Sequence, residues 1–125
     1  MYKILIVDDS SFIRKIIKDI LSKNGFDKLI EAKNGIDAID LYKSEKPNLV
    51  ILDVIMPDKD GFSTLTDIIE IDKKANIIVC SASSNNILIK ELVAEGIKGF
   101  IVKPFEEKEL ISTVKRVLRY RKKQG

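Results

Sequence analysis

The chain of 125 residues contains no histidine and only one cysteine, Cys80. The missing histidine excludes Ser-His-Asp and Cys-His catalysis, imidazole general bases and histidine-containing metal sites. A single cysteine cannot form an internal disulfide, which fits a protein of the reducing cytoplasm. Any chemistry of this chain must therefore come from carboxylates, hydroxyls, amines and backbone groups.

Long apolar runs and a leader segment are also missing. No apolar stretch approaches the length of a membrane span. Met1-Tyr2-Lys3 leads directly into a predicted strand, with no cleavage-like region after it. A chain of this length can form one domain with a core but not two. We therefore expect a single cytoplasmic domain without a membrane contact.

An excess of acidic residues is absent as well, since 22 Lys and Arg stand against 19 Asp and Glu, a net charge of +3. Four of the basic residues lie among the last seven positions, which contain no acid: Arg119, Arg121, Lys122 and Lys123. Without these four, 18 basic residues face 19 acidic ones, a net charge of −1. The basic bias is thus a helix end whose cations complement the helix dipole, and no nucleic-acid partner is predicted.

Short apolar runs alternate with amphipathic stretches along the whole chain. Five strands are predicted, at residues 3–7, 28–32, 49–52, 77–80 and 99–102. Each is followed by a helical pattern after a short connection. This alternation predicts an α/β fold, an open parallel sheet with helices on both faces.

The spacing of apolar residues also predicts helix faces and helix ends. Six apolar residues of the first helix are predicted to share its buried face: Phe12, Ile13, Ile16, Ile17, Ile20 and Leu21. Ser84 is the predicted N-cap of the fourth helix. The same helix carries Ile87 and Ile89, which exceed what one buried face can hide. Exposed apolar residues are therefore expected on the fourth helix.

Polar residues follow four of the predicted strands at their carboxyl ends. Asp8 and Asp9 follow the first strand, Asp53 the third, Ser81 the fourth and Lys103 the fifth. The carboxyl ends of parallel strands share one edge of the sheet, and ligands bind there. Each residue alone is typical of a helix cap, a turn or a surface cation. Their joint occurrence at four strand ends indicates a functional site.

Three carboxylates at one place repel each other unless a cation lies between them. Oxygen ligands without histidine or cysteine suit Mg²⁺. The hydroxyl of Ser81 and the ammonium of Lys103 could hold a phosphoryl group on the other side of the site. Because carboxylates form aspartyl phosphates, the residues predict Mg²⁺-dependent phosphorylation of Asp53.

The chain resembles the receiver domain of two-component response regulators over its whole length. The motifs that carry this resemblance are VDDS at 7–10, LDVIMP at 52–57 with DG at 60–61, CSA at 80–82 and FIVKPF at 100–105. The resemblance implies a flavodoxin-like (βα)5 fold, a doubly wound five-stranded parallel sheet of strand order 2-1-3-4-5. We expect this receiver domain to span residues 1–121, followed by a basic tail at 122–125.

The resemblance also implies an acceptor and a metal site. A sensor histidine kinase would transfer a phosphoryl group from its phosphohistidine to Asp53. Mg²⁺ would be held by Asp8, Asp9, Asp53 and the backbone carbonyl of Ile55. The chain would be a switch and not an enzyme, apart from self-phosphorylation from a phosphodonor and slow self-dephosphorylation. Our hypothesis for Ile55 is that its apolar side chain shields the acyl phosphate and prolongs its lifetime.

Further residues receive roles from the same resemblance. Ser81 and Lys103 would bind the phosphoryl oxygens, and the bond between Lys103 and Pro104 is expected to be cis. The family's switch combines a hydroxyl that moves toward the phosphoryl group with an aromatic ring that turns inward, a shift between two packings. Ser81 and Phe100 occupy these two positions.

Segments at 11–14, 17–21 and 99–105 most resemble stand-alone chemotaxis regulators of the CheY type. This implies a motor-switch or adaptor protein as partner, bound through the fourth helix, fifth strand and fifth helix. Lys98 and Gly99 replace an acidic pair that winged-helix regulators use in dimers, so we expect a monomer. The alternative is a receiver domain cut from a larger regulator with a transcriptional or enzymatic output.

Two other classes of protein share parts of this pattern. A haloacid-dehalogenase-like phosphatase also uses an aspartate nucleophile, Mg²⁺ and a lysine, but in a D-x-D arrangement on its first strand. Asp8 and Asp9 are adjacent instead, and the chain has no room for a cap domain. A flavodoxin needs a first loop rich in Ser, Thr and Gly, where Asp8 and Asp9 would repel its phosphate. Neither G-x-G-x-x-G nor a P-loop is present.

Overall fold

The computed structural model describes residues 2–54 and 61–124, with side chains up to residue 118. Within these ranges, strands and helices alternate as β1 (Lys3–Val7), α1 (Ser11–Lys23), β2 (Lys28–Ala32), α2 (Gly35–Glu45), β3 (Leu49–Leu52), α3 (Gly61–Ile71), β4 (Ile77–Ser81), α4 (Asn86–Glu95), β5 (Gly99–Val102) and α5 (Glu107–Gln124). No described helix combines the length and the apolar content that crossing a membrane requires.

All five strands are parallel, and their order in the sheet is β2-β1-β3-β4-β5. Val7 at the end of β1 pairs with Ala32 on one side and Leu52 on the other. The flavodoxin-like fold and the strand order are therefore confirmed. The order reverses beside β1, so the carboxyl ends of β1 and β3 border the crevice where such folds bind ligands.

The sheet is covered on both faces, which explains its continuous apolar strands. In β1, Leu5 and Val7 belong to the core cluster under α2, α3 and α4, whereas Ile4 and Ile6 belong to the cluster under α1 and α5. All four residues of β3 are buried. Five apolar residues of α5 form a buried stripe against the sheet: Leu110, Ile111, Val114, Val117 and Leu118. The strand ends that carry the polar residues are thus anchored in two packed layers.

The buried face of α1 is narrower than predicted. Ile17 and Leu21 are buried, but Phe12 is 70% exposed. Successive residues of a helix are turned by about 100°, so Phe12 leaves the face on which Ile13, Ile17 and Leu21 lie. The exposed apolar residue that was expected on α4 is Ile87, whose exposed fraction is 69%.

The cap of α4 also differs from the prediction. Asn85, not Ser84, precedes the helix, and its Oδ1 accepts hydrogen bonds from the N–H groups of Ile87 at 2.8 Å and Leu88 at 3.2 Å. A single amide oxygen therefore satisfies two of the unpaired N–H groups at the helix start. Gly96 ends the helix in the left-handed region, with φ of 109°.

Candidate functional site

Three carboxylates meet where β1 and β3 end. One oxygen each of Asp8, Asp9 and Asp53 lies within 4.8 Å of the other two. Asp8 and Asp53 are buried, whereas Asp9 is exposed. The structure thus brings together the acidic residues that follow the two strands. This set of close oxygen donors fits the preference of Mg²⁺ for carboxylates combined with water and phosphate oxygens.

Lys103 places an ammonium group between the two buried carboxylates. Its Nζ donates hydrogen bonds to Asp8 Oδ2 at 2.7 Å and to Asp53 Oδ2 at 3.1 Å. Burial by itself would lower the pKa of Lys103, but the hydrogen bond to Asp8 and the charge of Asp53 raise it above its usual value. Lys103 is therefore a fixed positive charge that offsets part of the acidic cluster.

The backbone of Lys103 connects β5 to the end of β4. Its N–H donates to the carbonyl of Ser81 at 2.8 Å, and the peptide bond between Lys103 and Pro104 is cis. Ser81 is fully buried, and its Oγ accepts a hydrogen bond from the N–H of Ser83 at 3.2 Å. Phe100 is half-buried and packs against the core cluster that α4 shares. The two predicted switch residues thus lie on neighbouring strands.

Backbone hydrogen bonds fix Asp53 and connect Val54 to Gly61. The N–H of Asp53 donates to the carbonyl of Val7 at 2.9 Å, and the N–H of Gly61 donates to the carbonyl of Val54 at 3.2 Å. A Cβ atom on Gly61 would lie only 2.1 Å from the Cα of Val54, so only glycine fits there. The predicted metal ligand Ile55 lies outside the described residues, and its role stays a prediction.

No role was predicted from the sequence for two residues beside the site, Arg14 and Gly61. The guanidinium of Arg14 donates a hydrogen bond to the carbonyl of Asp8 and another to Glu31 on β2. Gly61 contacts the backbone of Val54, as described above. The sequence shows the DG motif that contains Gly61, but no local pattern indicates the contact between α1, β2 and Asp8.

A comparison with protein families identifies the class. Residues 4–115 match the model of the response regulator receiver domain. The chain belongs to the response regulator receiver domain family, and this confirms the resemblance of its motifs. Members of this family are signalling domains of two-component systems and not classical enzymes.

Among individual proteins, the chain is similar to CheY chemotaxis proteins. It is 44% identical over 117 residues to chemotaxis protein CheY of Bacillus subtilis, covering 94% of this chain and 98% of that protein. The identity to CheY of Thermotoga maritima is 40% over 115 residues, or 92% and 96% of the two chains. A chain of the CheX-CheY-BeF3-Mg²⁺ complex from Borrelia burgdorferi matches with a TM-score of 0.90 and 36% identity, covering 94% of this chain and 89% of that chain.

Proposed function

We propose that this chain is a phosphorylation-activated signalling switch whose phosphoryl acceptor is Asp53. The observation that carries the proposal is the position of this buried carboxylate, which lies among two further carboxylates and the ammonium of Lys103. Membership of the receiver family supports the same role. The phosphodonor would be the phosphohistidine of a sensor kinase, since this chain has no histidine of its own.

Asp8, Asp9 and Asp53 are the residues that would hold Mg²⁺, with the carbonyl of Ile55 as a further predicted ligand. When bound, Mg²⁺ supplies positive charge that offsets the repulsion between these acids and an incoming phosphate. The chain's own contribution is to fix the carboxylates at the ends of two buried strands. The Asp53 oxygen thereby stays close to the carboxylate oxygens of Asp8 and Asp9.

The proposed reaction is a phosphoryl transfer to Asp53. A carboxylate oxygen of Asp53 forms a bond to phosphorus while the P–N bond to the donor imidazole breaks, and the leaving nitrogen keeps the electron pair. The ammonium of Lys103 and the hydroxyl of Ser81 would receive phosphoryl oxygens. Movement of Ser81 would then allow Phe100 to turn inward, which transmits the signal.

The proposed output is chemotaxis, through a motor-switch or adaptor protein that binds α4, β5 and α5. The similarity to CheY of two species over nearly their full length supports this proposal. The exposed side chains of Ile87 and Val93 on α4, at 69% and 59%, provide an apolar surface for such a partner.

Incubation with acetyl phosphate and Mg²⁺, followed by intact-protein mass measurement, tests the acceptor role. The wild type should gain one phosphate, and the Asp53→Asn variant should gain none. Asp19→Asn is the matched control, because Asp19 is an exposed residue of α1 paired with Lys15, and it should behave as wild type. Steady hydrolysis of acetyl phosphate would instead indicate a phosphatase, and phosphate on Asp53→Asn would refute the acceptor assignment.

A further inference from the structure

Arg14 connects the edge of the sheet to the acidic cluster. Its Nε donates to Glu31 Oε1 at 2.9 Å, and its Nη1 donates to the backbone carbonyl of Asp8. The side chain of Arg14 is only 14% exposed. One guanidinium therefore spans from β2 to the segment between β1 and α1.

The hydrogen bond from Arg14 completes the fixation of Asp8. The N–H of Asp8 donates to the carbonyl of Ala32 at 3.2 Å. Its Oδ1 accepts from the N–H of Ser10 at 2.9 Å, and its Oδ2 accepts from Lys103 at 2.7 Å. With its carbonyl bound to Arg14, each polar group of Asp8 has a partner. Four hydrogen bonds thus fix the backbone and the carboxylate of Asp8.

The carbonyl of Asp8 belongs to the same planar peptide group as the N–H of Asp9. A bond that fixes this carbonyl also fixes the direction in which the chain enters Asp9. Asp9 is the exposed member of the acidic cluster, and the direction of its backbone limits the positions that its carboxylate can reach. Arg14 therefore contacts the peptide group that joins two of the three acids.

The guanidinium is itself held by Glu31. The other oxygen of Glu31 accepts a hydrogen bond from Lys18 at 2.9 Å. The bond from Lys18, together with that from Arg14, lowers the pKa of Glu31 below its usual value. Glu31 is thus an anion at neutral pH, and it orients the forked guanidinium toward Asp8.

We propose that Arg14 is a positioning residue, which holds the peptide between Asp8 and Asp9 so that their carboxylates converge with that of Asp53 on a divalent cation. This inference rests on the proposed function, because it assigns Arg14 to the Mg²⁺ site. Arg14 acts through hydrogen-bond geometry, and its own positive charge opposes the cation. Residues that orient metal ligands from outside the ligand set typically contribute about 10- to 100-fold in metal affinity.

The sign of the effect separates geometry from charge. If Arg14 acted only through its charge, its removal would strengthen Mg²⁺ binding, since one repelling cation would be lost. If it positions the ligands, its removal weakens Mg²⁺ binding. Lys18 provides the matched control, because it is a cation of the same helix that binds the same Glu31.

The experiment is calorimetric titration of the full chain with MgCl2, for wild type, Arg14→Gln, Arg14→Lys and Lys18→Gln. The dissociation constant should rise about tenfold in Arg14→Gln and change less than about twofold in Lys18→Gln. Arg14→Lys keeps the charge but lacks the fork that reaches two acceptors, so its affinity should also fall severalfold. Unchanged or tighter binding in Arg14→Gln, or wild-type affinity in Arg14→Lys, overturns the proposal.

A second variant covers the case in which Arg14→Gln does not fold. Glu31→Gln leaves Arg14 in place but removes its anchor, and it should weaken Mg²⁺ binding severalfold; wild-type affinity would contradict the inference. Acetyl phosphate labelling of the same samples separates the two proposals. A wild type that neither binds Mg²⁺ nor is phosphorylated refutes both, whereas a competent wild type with an equally competent Arg14→Gln refutes only the role of Arg14.

Discussion

At the level of single residues, the site depends on charges that are buried together. Asp8 and Asp53 are both buried, and Lys103 bonds to each of them. A buried carboxylate is costly unless a partner compensates its charge. The raised pKa of Lys103 keeps that partner protonated through the neutral range. The ammonium of Lys103 therefore compensates part of the charge of the two buried carboxylates in the folded chain.

Cys80 is buried in the layer under α1 and α5, and its burial raises the pKa of the thiol to about 12. We expect no reaction with Ellman's reagent at pH 8 in the native protein and one equivalent after unfolding in guanidinium. A free cysteine in the unfolded chain ionises at about pH 8.5. The stability gained from the buried thiol is thus complete below that pH and is lost as the pH rises toward 12.

The control for the Cys80 measurement is Cys80→Ala, which should give no signal in either state and a flatter loss of stability at alkaline pH. Rapid labelling of the native wild type, faster than its global unfolding, would contradict the burial of this residue.

Gly61 packs closely against the residue that follows Asp53. A Cβ on Gly61 would lie within 2.1 Å of Val54, the residue after Asp53. Gly61→Ala must therefore displace Val54 or Gly61 itself, and we expect the rate of phosphorylation by acetyl phosphate to fall about tenfold or more. Gly25→Ala is the control, since Gly25 has a φ of 92° but no atom within 4 Å of an added Cβ.

The two glycine variants should differ in the property that they change, which is stability for one and phosphorylation rate for the other. Gly25→Ala should lose about 1 kcal/mol of stability through its left-handed backbone and keep the wild-type rate of phosphorylation. Equal rates in Gly61→Ala and wild type would show that the contact with Val54 does not constrain Asp53.

At the level of helices and strands, much of the fold follows from local pattern. The strands are buried on both faces, so their apolar runs are continuous and their bounds agree with prediction within one residue. The two wrong predictions, the cap of α4 and the buried face of α1, each required a choice between adjacent residues. Ser84 and Asn85 are both good caps, and only the tertiary path of the chain selects Asn85. Phe12 and Ile13 are both apolar, and only packing decides which one is buried.

The candidate site, like the fold, could be predicted from the sequence only in part. Strand ends share an edge by topology, so Asp8, Asp53 and Lys103 could be placed together from the sequence. The role of Arg14 could not be predicted from the sequence. Its two contacts, with Glu31 on β2 and with the Asp8 carbonyl after β1, depend on how α1 packs beside these strands.

The opposite edge of the sheet is joined by a polar network at the strand starts. Asn76, buried before β4, donates to the carbonyl of Asn48 at 3.1 Å and accepts from Lys98 Nζ at 3.2 Å. Asn48 Oδ1 accepts from the N–H of Lys3 at 2.7 Å. The network therefore links the beginnings of β1, β3, β4 and β5.

Replacement of Asn76 should affect stability but not chemistry. Asn76→Ala leaves the Asn48 carbonyl without this donor, so we expect a loss of about 1–3 kcal/mol in urea unfolding. Exposed Asn86→Ala should stay within about 0.5 kcal/mol of wild type. Mg²⁺ affinity should be unchanged in both variants. An Asn76→Ala protein with the wild-type unfolding midpoint would show that the network contributes nothing.

At the level of the whole molecule, the proposed Mg²⁺ site predicts a link between metal binding and global stability. A ligand that binds only the folded state stabilises it by about 2.7 kcal/mol at a hundredfold excess over its dissociation constant. We therefore expect the Tm of the wild type to rise with MgCl2 and to return on addition of EDTA. In Asp8→Asn most of this rise should disappear, because one ligand is lost. The same increase in both proteins, measured by thermal circular dichroism, would place the stabilising Mg²⁺ elsewhere.

Lys103 reaches across 95 residues to Asp8 and across 50 to Asp53, and this span has a consequence during synthesis. A growing chain acquires both aspartates long before it acquires the lysine. Until β5 pairs with β4, Lys103 cannot lie between the two carboxylates, and the proposed acceptor site is incomplete. We therefore expect that nascent chains and fragments without β5 are not phosphorylated, so that only a finished sheet responds to a phosphodonor.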